Sequence, residues 1–510
     1  MNKRALISVF DKSGAVELAQ GLQSLGYDLV STGSTAKLIA ESGLDVTPIE
    51  AVTDFPECLD GRLKTLHPKV HGGILAVRGN AKHMTQIKEL AIAPIDIVVC
   101  NLYPFRETIA KPNVTRDEAI ENIDIGGPTM LRAAAKNWQD VCVVVSPDDY
   151  TPLLECLQAG EVSQEYRLTL ARKVFEYTAQ YDAQIAQYFD NEQSVAYPEH
   201  LTLTYEKQQD LRYGENPHQT AAYYRELSPH DGDLVNARQL HGKELSYCNI
   251  NDLNGAIALV KEFAEPCCVA VKHATPCGVG IGECIDEAWH NAYEADKVSI
   301  FGGIIALNRE CTPAVAEAIN QMFIEIVIAP SYAPDALACL TQKKNIRVME
   351  LPKISEFTPI DTRTIKQIAG GLLVQSANVQ LYESTKRVSK ALVTPKQQTQ
   401  LDFAWKVVKH VRSNAIVLVN GKRTVGIGPG QCNRVTALDI ALRYAGANAK
   451  GSVMASDAFF PMSDCVEAAA AAGIAAIIQP GGSIRDQDSI DACDKHSIAM
   501  LFTGMRHFVH

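Results

Sequence analysis

Lysine and histidine stand side by side at Lys272-His273, where the apolar run Cys267-Cys268-Val269-Ala270-Val271 meets a breaker, Pro276-Cys277-Gly278. An imidazole with a proton affinity near neutral can take a proton from a weak nucleophile. An adjacent ammonium can stabilise developing negative charge or return a proton. Such a pair suits group transfer to a poor amine, although a strand end with its charges facing water has the same composition. The apolar run predicts a buried strand, and in open α/β sheets ligands gather beyond the carboxyl ends of strands, so both side chains are expected to face a pocket.

A second constellation occupies the first 140 residues. The loops Phe10-Asp11-Lys12-Ser13-Gly14 and Ser31-Thr32-Gly33-Ser34-Thr35, and the stretch 60–68 with Arg62, Lys64 and Thr65, offer hydroxyls, N–H groups and cations where a strand gives way to a helix. Gly/Ser turns at helix N-termini hold phosphate through unpaired N–H donors, so these loops predict a phosphate cradle. Helix capping by one serine would account for the Ser/Thr run alone. Beyond them come Asn101-Leu102-Tyr103-Pro104-Phe105 at a strand end and Asp124-Ile125-Gly126-Gly127 ahead of a helix carrying Arg132, Lys136 and Asn137. This set suits polarising carbonyls and moving protons. It contains no Ser-His-Asp arrangement, no metal-ligand spacing and no nicotinamide fingerprint.

The elements that must position these groups read as alternating strands and helices. Strands are expected at 5–10, 28–31, 97–103 and 141–145, with helices at 15–25, 36–42 and 165–189, which means a parallel sheet covered by helices. Residues 191–210 turn polar and irregular and form the expected linker. Beyond it, strands are expected at 267–272, 324–329, 416–419, 452–456, 474–478 and 499–502, in two sub-modules divided between 351 and 402.

The 510 residues, 46% hydrophobic and 21% charged, have the composition of an ordinary globular protein. A net charge of −11 argues against a nucleic-acid partner, which needs a basic face, but leaves room for a local cationic pocket for small phosphates. Fourteen scattered cysteines, with no secretory pattern after Met1, are expected to be reduced thiols in the cytoplasm. No apolar run approaches the ~20 residues that span a bilayer, so no membrane partner is expected.

Several of these motifs resemble one family. Ser31 to Thr35, Gly61-Arg62-Leu63-Lys64-Thr65-Leu66-His67-Pro68, Asn101 to Phe105, and Asp124 to Pro128 with Arg132 to Asn137 look like the cyclohydrolase part of the AICAR transformylase/IMP cyclohydrolase enzymes. Leu211-Arg212-Tyr213-Gly214-Glu215-Asn216-Pro217, Lys272-His273, Phe301-Gly302-Gly303, Arg412-Ser413-Asn414, Ser456 to Pro461 and Met505 to His510 resemble the transformylase part, in one collinear order. The resemblance implies an α/β chain: a methylglyoxal-synthase-like doubly wound domain over 1–197, then a transformylase region over 198–510 made of two cytidine-deaminase-like sub-modules. It implies formyl transfer from 10-formyltetrahydrofolate, a co-substrate, to AICAR, then closure of FAICAR to IMP with loss of water. No tightly bound cofactor and no metal are implied; the partners are these small molecules and a second copy in a homodimer.

The same resemblance implies catalytic roles for Lys272, His273 and Asn414 in formyl transfer and for Lys64, Tyr103, Asp124 and Lys136 in cyclisation. It implies substrate binding by Lys12, Ser31, Thr32, Gly33, Ser34, Thr35, Arg62, Thr65, Ile125 and Gly126 in the first part. In the second part the binding residues are Arg212, Tyr213, Phe301, Gly302, Phe459, Arg506 and Phe508. Cys248, Thr275 and the Pro429 to Asn433 loop depart from the family pattern. Two other readings are a ligand-sensing regulatory domain at the N-terminus, against which Tyr103, Asp124 and Lys136 argue together, and a deaminase-like hydrolase. The zinc signature of the latter is absent: only Pro276-Cys277 matches, and Cys284 is misplaced.

Overall fold

A computed structural model of the chain describes residues 3–357 and 362–510. It divides into two compact units, Met1–Thr204 and Tyr205–His510.

In the first unit, five strands, β1 (Lys3–Val9), β2 (Tyr27–Ser31), β3 (Val46–Pro48), β4 (Ile97–Asn101) and β5 (Cys142–Val144), form a sheet in the order β3-β2-β1-β4-β5. Every pairing is parallel. Both faces are buried: Leu6, Val98 and Val143 pack into one core cluster, while Ala5, Ile7, Ile97 and Val99 pack into another. Two-sided burial is why these strands read as unbroken apolar runs and not as alternating ones. The order reverses between β1 and β4, so the loops after these two strands diverge and leave a crevice at their carboxyl ends. The long helix Gln164–Glu192 packs against the helix Gly126–Lys136 and β5. It ends within the expected linker, which narrows to residues 193–204.

The second unit carries β6 (Tyr205–Leu211) and β7 (Ala221–Glu226) as a hairpin of their own. Its main strands are β8 (Arg238–His241), β9 (Cys267–Lys272), β10 (Thr275–Ile281), β11 (Ile304–Leu307), β12 (Ile326–Ala329) and β13 (Arg347–Glu350). After a separate hairpin, β14 (Arg363–Ile368) with β15 (Gly371–Ser376), come β16 (Lys386–Arg387), β17 (Ile416–Asn420), β18 (Arg423–Gly428), β19 (Val453–Ser456), β20 (Ala476–Gln479) and β21 (Ala499–Phe502). Twelve of them make one sheet, β16-β21-β20-β19-β17-β18-β10-β9-β11-β12-β13-β8.

The order β10-β9-β11-β12-β13 repeats as β18-β17-β19-β20-β21, and the halves meet where β10 runs antiparallel to β18. The likeness extends to single bonds. Cys267 N–H donates to Asn308 Oδ1 at 2.7 Å in one half, and Ala415 N–H donates to Asp457 Oδ1 at 3.1 Å in the other. Helices Tyr247–Val260 and Pro395–Val408 share one core with both halves, burying Leu253, Trp405, Val269 and Val417 together. These halves are two sub-modules of one topology, and β14 to β16 lie in the interval that divides them.

One expectation needs correction. Pro276 and Gly278 do not end the strand region: the chain turns at His273-Ala274 and returns as β10, antiparallel to β9. A bulge between Pro276 and Gly278 absorbs the proline, which cannot donate to a ladder. The sheet around Lys272 is therefore mixed and not wholly parallel.

Candidate active sites

The crevice between β1 and β4 is a cavity of about 420 Å³. Lys12, Thr32, Gly33, Ser34, Thr35, Arg62, Lys64, Thr65, Tyr103, Asp124, Ile125 and Gly126 all line it. Thr32 precedes the helix Gly33–Glu41, and its side chain does not cap that helix; its hydroxyl instead lies 2.7 Å from that of Ser8. The helix N-terminus is thus left with N–H donors facing the cavity, the arrangement that suits an anion. Thr35 donates to Val9 O at 2.9 Å, and Ser31 donates to Ile7 O at 2.6 Å from a fully buried position outside the lining. Ser31 therefore ties β2 to β1.

Asp124 sits at the cavity floor just ahead of the helix Gly126–Lys136. Burial pushes its carboxyl above the ordinary carboxylate range; N–H groups of Gly127, Tyr103 and Gly126 and the charge of Lys64 oppose that shift. The Gly127 bond measures 2.8 Å. A Cβ on Gly127 would stand 2.5 Å from Leu102 and 2.6 Å from the Asp124 carboxylate, and one on Gly126 would meet Thr65 at 2.7 Å. Glycine at both positions lets the helix entry close onto Asp124.

Two tyrosines one turn apart on the helix Gln164–Glu192 hold the loops. Tyr177 Oη accepts the Leu102 N–H at 3.1 Å, and Tyr181 Oη accepts the Asp124 N–H at 2.8 Å. Lys64 Nζ lies 4.0 Å from Glu57, and Arg62 pairs with Glu121 at the rim. Lys136, like Ser31, lies outside the lining. It occupies the last turn of its helix, about 15 Å along the axis from Gly126, and does not line the cavity.

Sequence reasoning passed over Asn101, whose Oδ1 accepts N–H groups of Phe10 at 2.6 Å and Asp11 at 2.9 Å while its Nδ2 donates to Asp11 O at 3.1 Å. This residue locks the loop after β1 to the end of β4, and its place in the Asn101 to Phe105 motif was the available signal.

In the second unit, strand register brings the segments that carry Lys272, His273, Phe301, Gly302, Asn414, Phe459, Arg506 and Phe508 to one edge of the twelve-stranded sheet, whereas Arg212 and Tyr213 follow the separate β6. The turn after β9, the loop before β11, Asn414 before β17 and the segments after β19 and β21 all end there. Lys272 Nζ donates to the Phe301 carbonyl at 2.9 Å, and Phe301 is 56% exposed. Gly302 has φ of 72°, a conformation suited to glycine, and donates to Phe323 O at 2.8 Å. Asn414 Nδ2 donates to Gln431 O at 2.9 Å, and its Oδ1 accepts from Arg434 at 2.7 Å.

Behind Asn414, the buried Arg434 guanidinium pairs with the buried Asp457 carboxylate. Asp457 also receives the Ser413 hydroxyl. The C-terminal segment is strapped to the same place, with His507 N–H donating to Asp457 O at 2.9 Å and Ser413 N–H to Val509 O at 2.8 Å. On either side of buried His507, Arg506 and Phe508 are exposed, the guanidinium lying 4.7 Å from the ring centroid. Phe459 is half-buried beside the fully buried Phe460.

Arg212 follows β6 with its guanidinium 5.6 Å from the Tyr213 ring. Burial pushes the Arg347 guanidinium down; Glu325 opposes the shift, and the nearby charge of Arg212 adds to it. Neither Arg434 nor Asp252, whose carboxylate accepts the N–H groups of His273 and Ala274, was among the expected site residues. Burial raises the Cys277 thiol to about 12. Among the described residues no three His, Cys, Asp or Glu side chains are grouped to hold a metal ion, and no helix is long and apolar enough to cross a membrane.

Residues 14–129 match the MGS-like domain, and residues 134–444 match the AICARFT/IMPCHase bienzyme family. The bifunctional purine biosynthesis protein PurH of Ruminiclostridium cellulolyticum is 60% identical, with 100% of both chains covered. That of Acetivibrio thermocellus is also 60% identical over 100% of both chains, and that of Bacillus subtilis is 55% identical over 100% of this chain and 99% of its own. With similarity of this extent, the chain belongs to the AICARFT/IMPCHase bienzyme family.

Proposed function

We propose that the two units divide the two reactions of this bienzyme, with cyclisation in the first unit's cavity and formyl transfer at the sheet edge of the second. The chain is a bifunctional enzyme of purine biosynthesis, an AICAR formyltransferase and IMP cyclohydrolase. The observation that carries the division is the joining of Lys64, Tyr103 and Asp124 with the Ser/Thr/Gly loop in one cavity of the first unit.

Cyclisation is intramolecular. Holding FAICAR with its carboxamide nitrogen against the formyl carbon removes most of the entropic barrier, which leaves orientation and proton transfer to the protein. Thr32 to Thr35, Lys12 and Arg62 hold the phosphate. The Asp124 carboxylate takes the carboxamide proton as the C–N bond forms. Lys64 and Tyr103 stabilise and protonate the formyl oxygen, with the Ile125 and Gly126 N–H groups facing it; the C–O bond then breaks and the oxygen leaves as water with a second proton, while the nitrogen that carried the formyl group gives up its own proton and closes the C=N bond. Lys136 has no part in this scheme.

In formyl transfer the AICAR amine attacks the formyl carbon of 10-formyltetrahydrofolate, His273 takes the amine proton, and the bond from carbon to the folate nitrogen breaks as that nitrogen gains a proton. Lys272, anchored by one hydrogen bond to Phe301 O, has two N–H donors left for the tetrahedral oxygen and the leaving nitrogen. Asn414 orients the reacting groups. Arg212, Tyr213 and Arg506 hold the nucleotide, and Phe301, Gly302, Phe459 and Phe508 flank the rings.

The formyl donor is a co-substrate, no cofactor is tightly bound, and the enzyme works in the cytoplasm as a homodimer. The net charge of −11 and the small polar sites support small-molecule partners over nucleic acid. The test is formyl transfer by His273→Ala under single-turnover conditions. A chemical step lowered by roughly 10²–10⁴-fold is expected, with AICAR binding retained. A chemical step at the wild-type rate removes His273 from the base role.

A further inference from the structure

The two sub-modules place corresponding hairpins in the sheet, and their turns differ where chemistry is expected. Lys272 pairs with Thr275 and Asn420 with Arg423, so both turns have two central residues, His273-Ala274 and Gly421-Lys422. In the second turn glycine takes the left-handed position, with φ of 67°. In the first, His273 and Ala274 have φ of 56° and 54°. Two-residue turns with both centres left-handed favour Asn and Gly, and alanine there sets its Cβ against the following carbonyl oxygen. The His273 turn therefore needs a hold that the glycine turn does not.

Asp252 supplies that hold. It projects from the helix Tyr247–Val260 beneath the turn, accepting the His273 N–H at Oδ2, 3.2 Å away, and the Ala274 N–H at Oδ1, 2.7 Å away. Both sub-modules start this helix with a capping box, Ser246 with Asn249 and Thr394 with Gln397. Counted from the box, the position of Asp252 in the other half is Gln400. An amide offers one uncharged acceptor oxygen where a carboxylate offers two, so Gln400 cannot give each of two N–H groups an oxygen of its own. The carboxylate is thus found in the half whose turn carries the imidazole.

We propose that Asp252 is a positioning residue for formyl transfer, which holds His273 at the sheet edge through the two backbone N–H groups of its turn. The proposal rests on His273 acting as base. Asp252 touches no reacting group; it makes the strained turn the resident conformation, and displacement of a base by about 1 Å costs roughly 10²-fold in rate.

The experiment is a double-mutant cycle on the full-length enzyme, read as single-turnover formylation of AICAR, with AICAR affinity and thermal unfolding recorded for each variant. Asp252→Ala is expected to lower the chemical step by about 10-fold or more while AICAR affinity is largely kept. It is expected to add nothing in the His273→Ala background. Asp252→Asn, which keeps one acceptor and the shape of the side chain, is expected to lie between, and Ala274→Gly in the Asp252→Ala enzyme to recover part of the loss, because glycine reaches the left-handed region freely.

Wild-type rates for Asp252→Ala alongside an impaired His273→Ala would overturn the positioning role and leave the base assignment standing. Equal losses from Asp252→Ala with and without His273 would overturn it too. Wild-type rates for His273→Ala would instead remove the base assignment, and this proposal with it.

Discussion

Arg434 and Asp457 form an ion pair behind Asn414, the guanidinium 6% exposed and the carboxylate wholly buried, and the same guanidinium donates to Asn414 Oδ1 at 2.7 Å. Removing one partner from a buried pair leaves an uncompensated charge, which costs about 3–5 kcal/mol. Asp457→Ala is therefore expected to lower the unfolding midpoint of the second unit strongly, checked by denaturant titration. Arg434→Lys keeps the charge but loses the planar fork that reaches two acceptors at once. Its formyl transfer is expected to fall with cyclisation of supplied FAICAR unchanged; equal loss of both activities would show general unfolding and not a displaced Asn414.

Asp124 couples function to stability with a definite sign. Its carboxyl is raised in the folded protein, chiefly by burial, so the stability it contributes is fully present below the unfolded carboxylate value and is lost as pH rises through the folded one. Asp124→Asn keeps an acceptor for the Gly127 N–H and carries no charge. The variant is expected to unfold at higher temperature than wild type near pH 7, with the advantage shrinking as pH falls through the carboxylate range. Cyclisation is expected to drop by roughly 10²–10⁴-fold. Scanning calorimetry across pH and a FAICAR assay check the two halves of this expectation.

Lys64 Nζ lies 4.0 Å from Glu57 and borders the cavity, its side chain 23% exposed. Removing a donor aimed at a developing oxyanion costs about 10²–10³-fold in turnover. Lys64→Ala supplied with AICAR and 10-formyltetrahydrofolate is expected to accumulate FAICAR while the folate product forms at the wild-type rate. FAICAR levels no higher than wild type would show that Lys64 is not part of the chemistry.

A fragment of residues 1–197 keeps the five-stranded sheet, the whole cavity and the helix that carries Tyr177 and Tyr181. It is expected to convert FAICAR to IMP and to leave AICAR unformylated. Formylation by the fragment would refute the division of the two reactions.

The legible part of this chain was the part where packing is two-sided. β1, β2 and β4 are buried on both faces, so their apolar runs announce them, and β9 and β21 have the bounds their runs predict. β10 was hidden because Pro276 and Gly278 carry the composition of a breaker, and only the bulge opposite β9 reconciles them with a ladder. The pairing of β10 with β18 joins residues 143 positions apart, Gly280 with Arg423, which no local pattern encodes.

Among site residues, those in Ser/Thr/Gly loops could be read because a loop after a parallel strand must face the crevice. Asp252 and Arg434 could not: each acts on a residue distant in sequence, Asp252 on the His273 turn and Arg434 on Asn414 and Asp457. Lys136 was read with the Asp124 motif, and it stands in the last turn of the helix Gly126–Lys136, outside the cavity lining.

The central claim, that the first unit's cavity cyclises and the second unit's edge formylates, is tested most directly by complementation. AICAR and 10-formyltetrahydrofolate are given to Lys64→Ala alone, to His273→Ala alone and to an equal mixture, and FAICAR and IMP are followed by chromatography. FAICAR without IMP is expected from Lys64→Ala, neither product from His273→Ala, and IMP from the mixture, as FAICAR made at one enzyme's sheet edge is closed in the other's cavity. A His273→Ala enzyme that fails to close supplied FAICAR, or a mixture that yields no IMP although FAICAR accumulates, would contradict it.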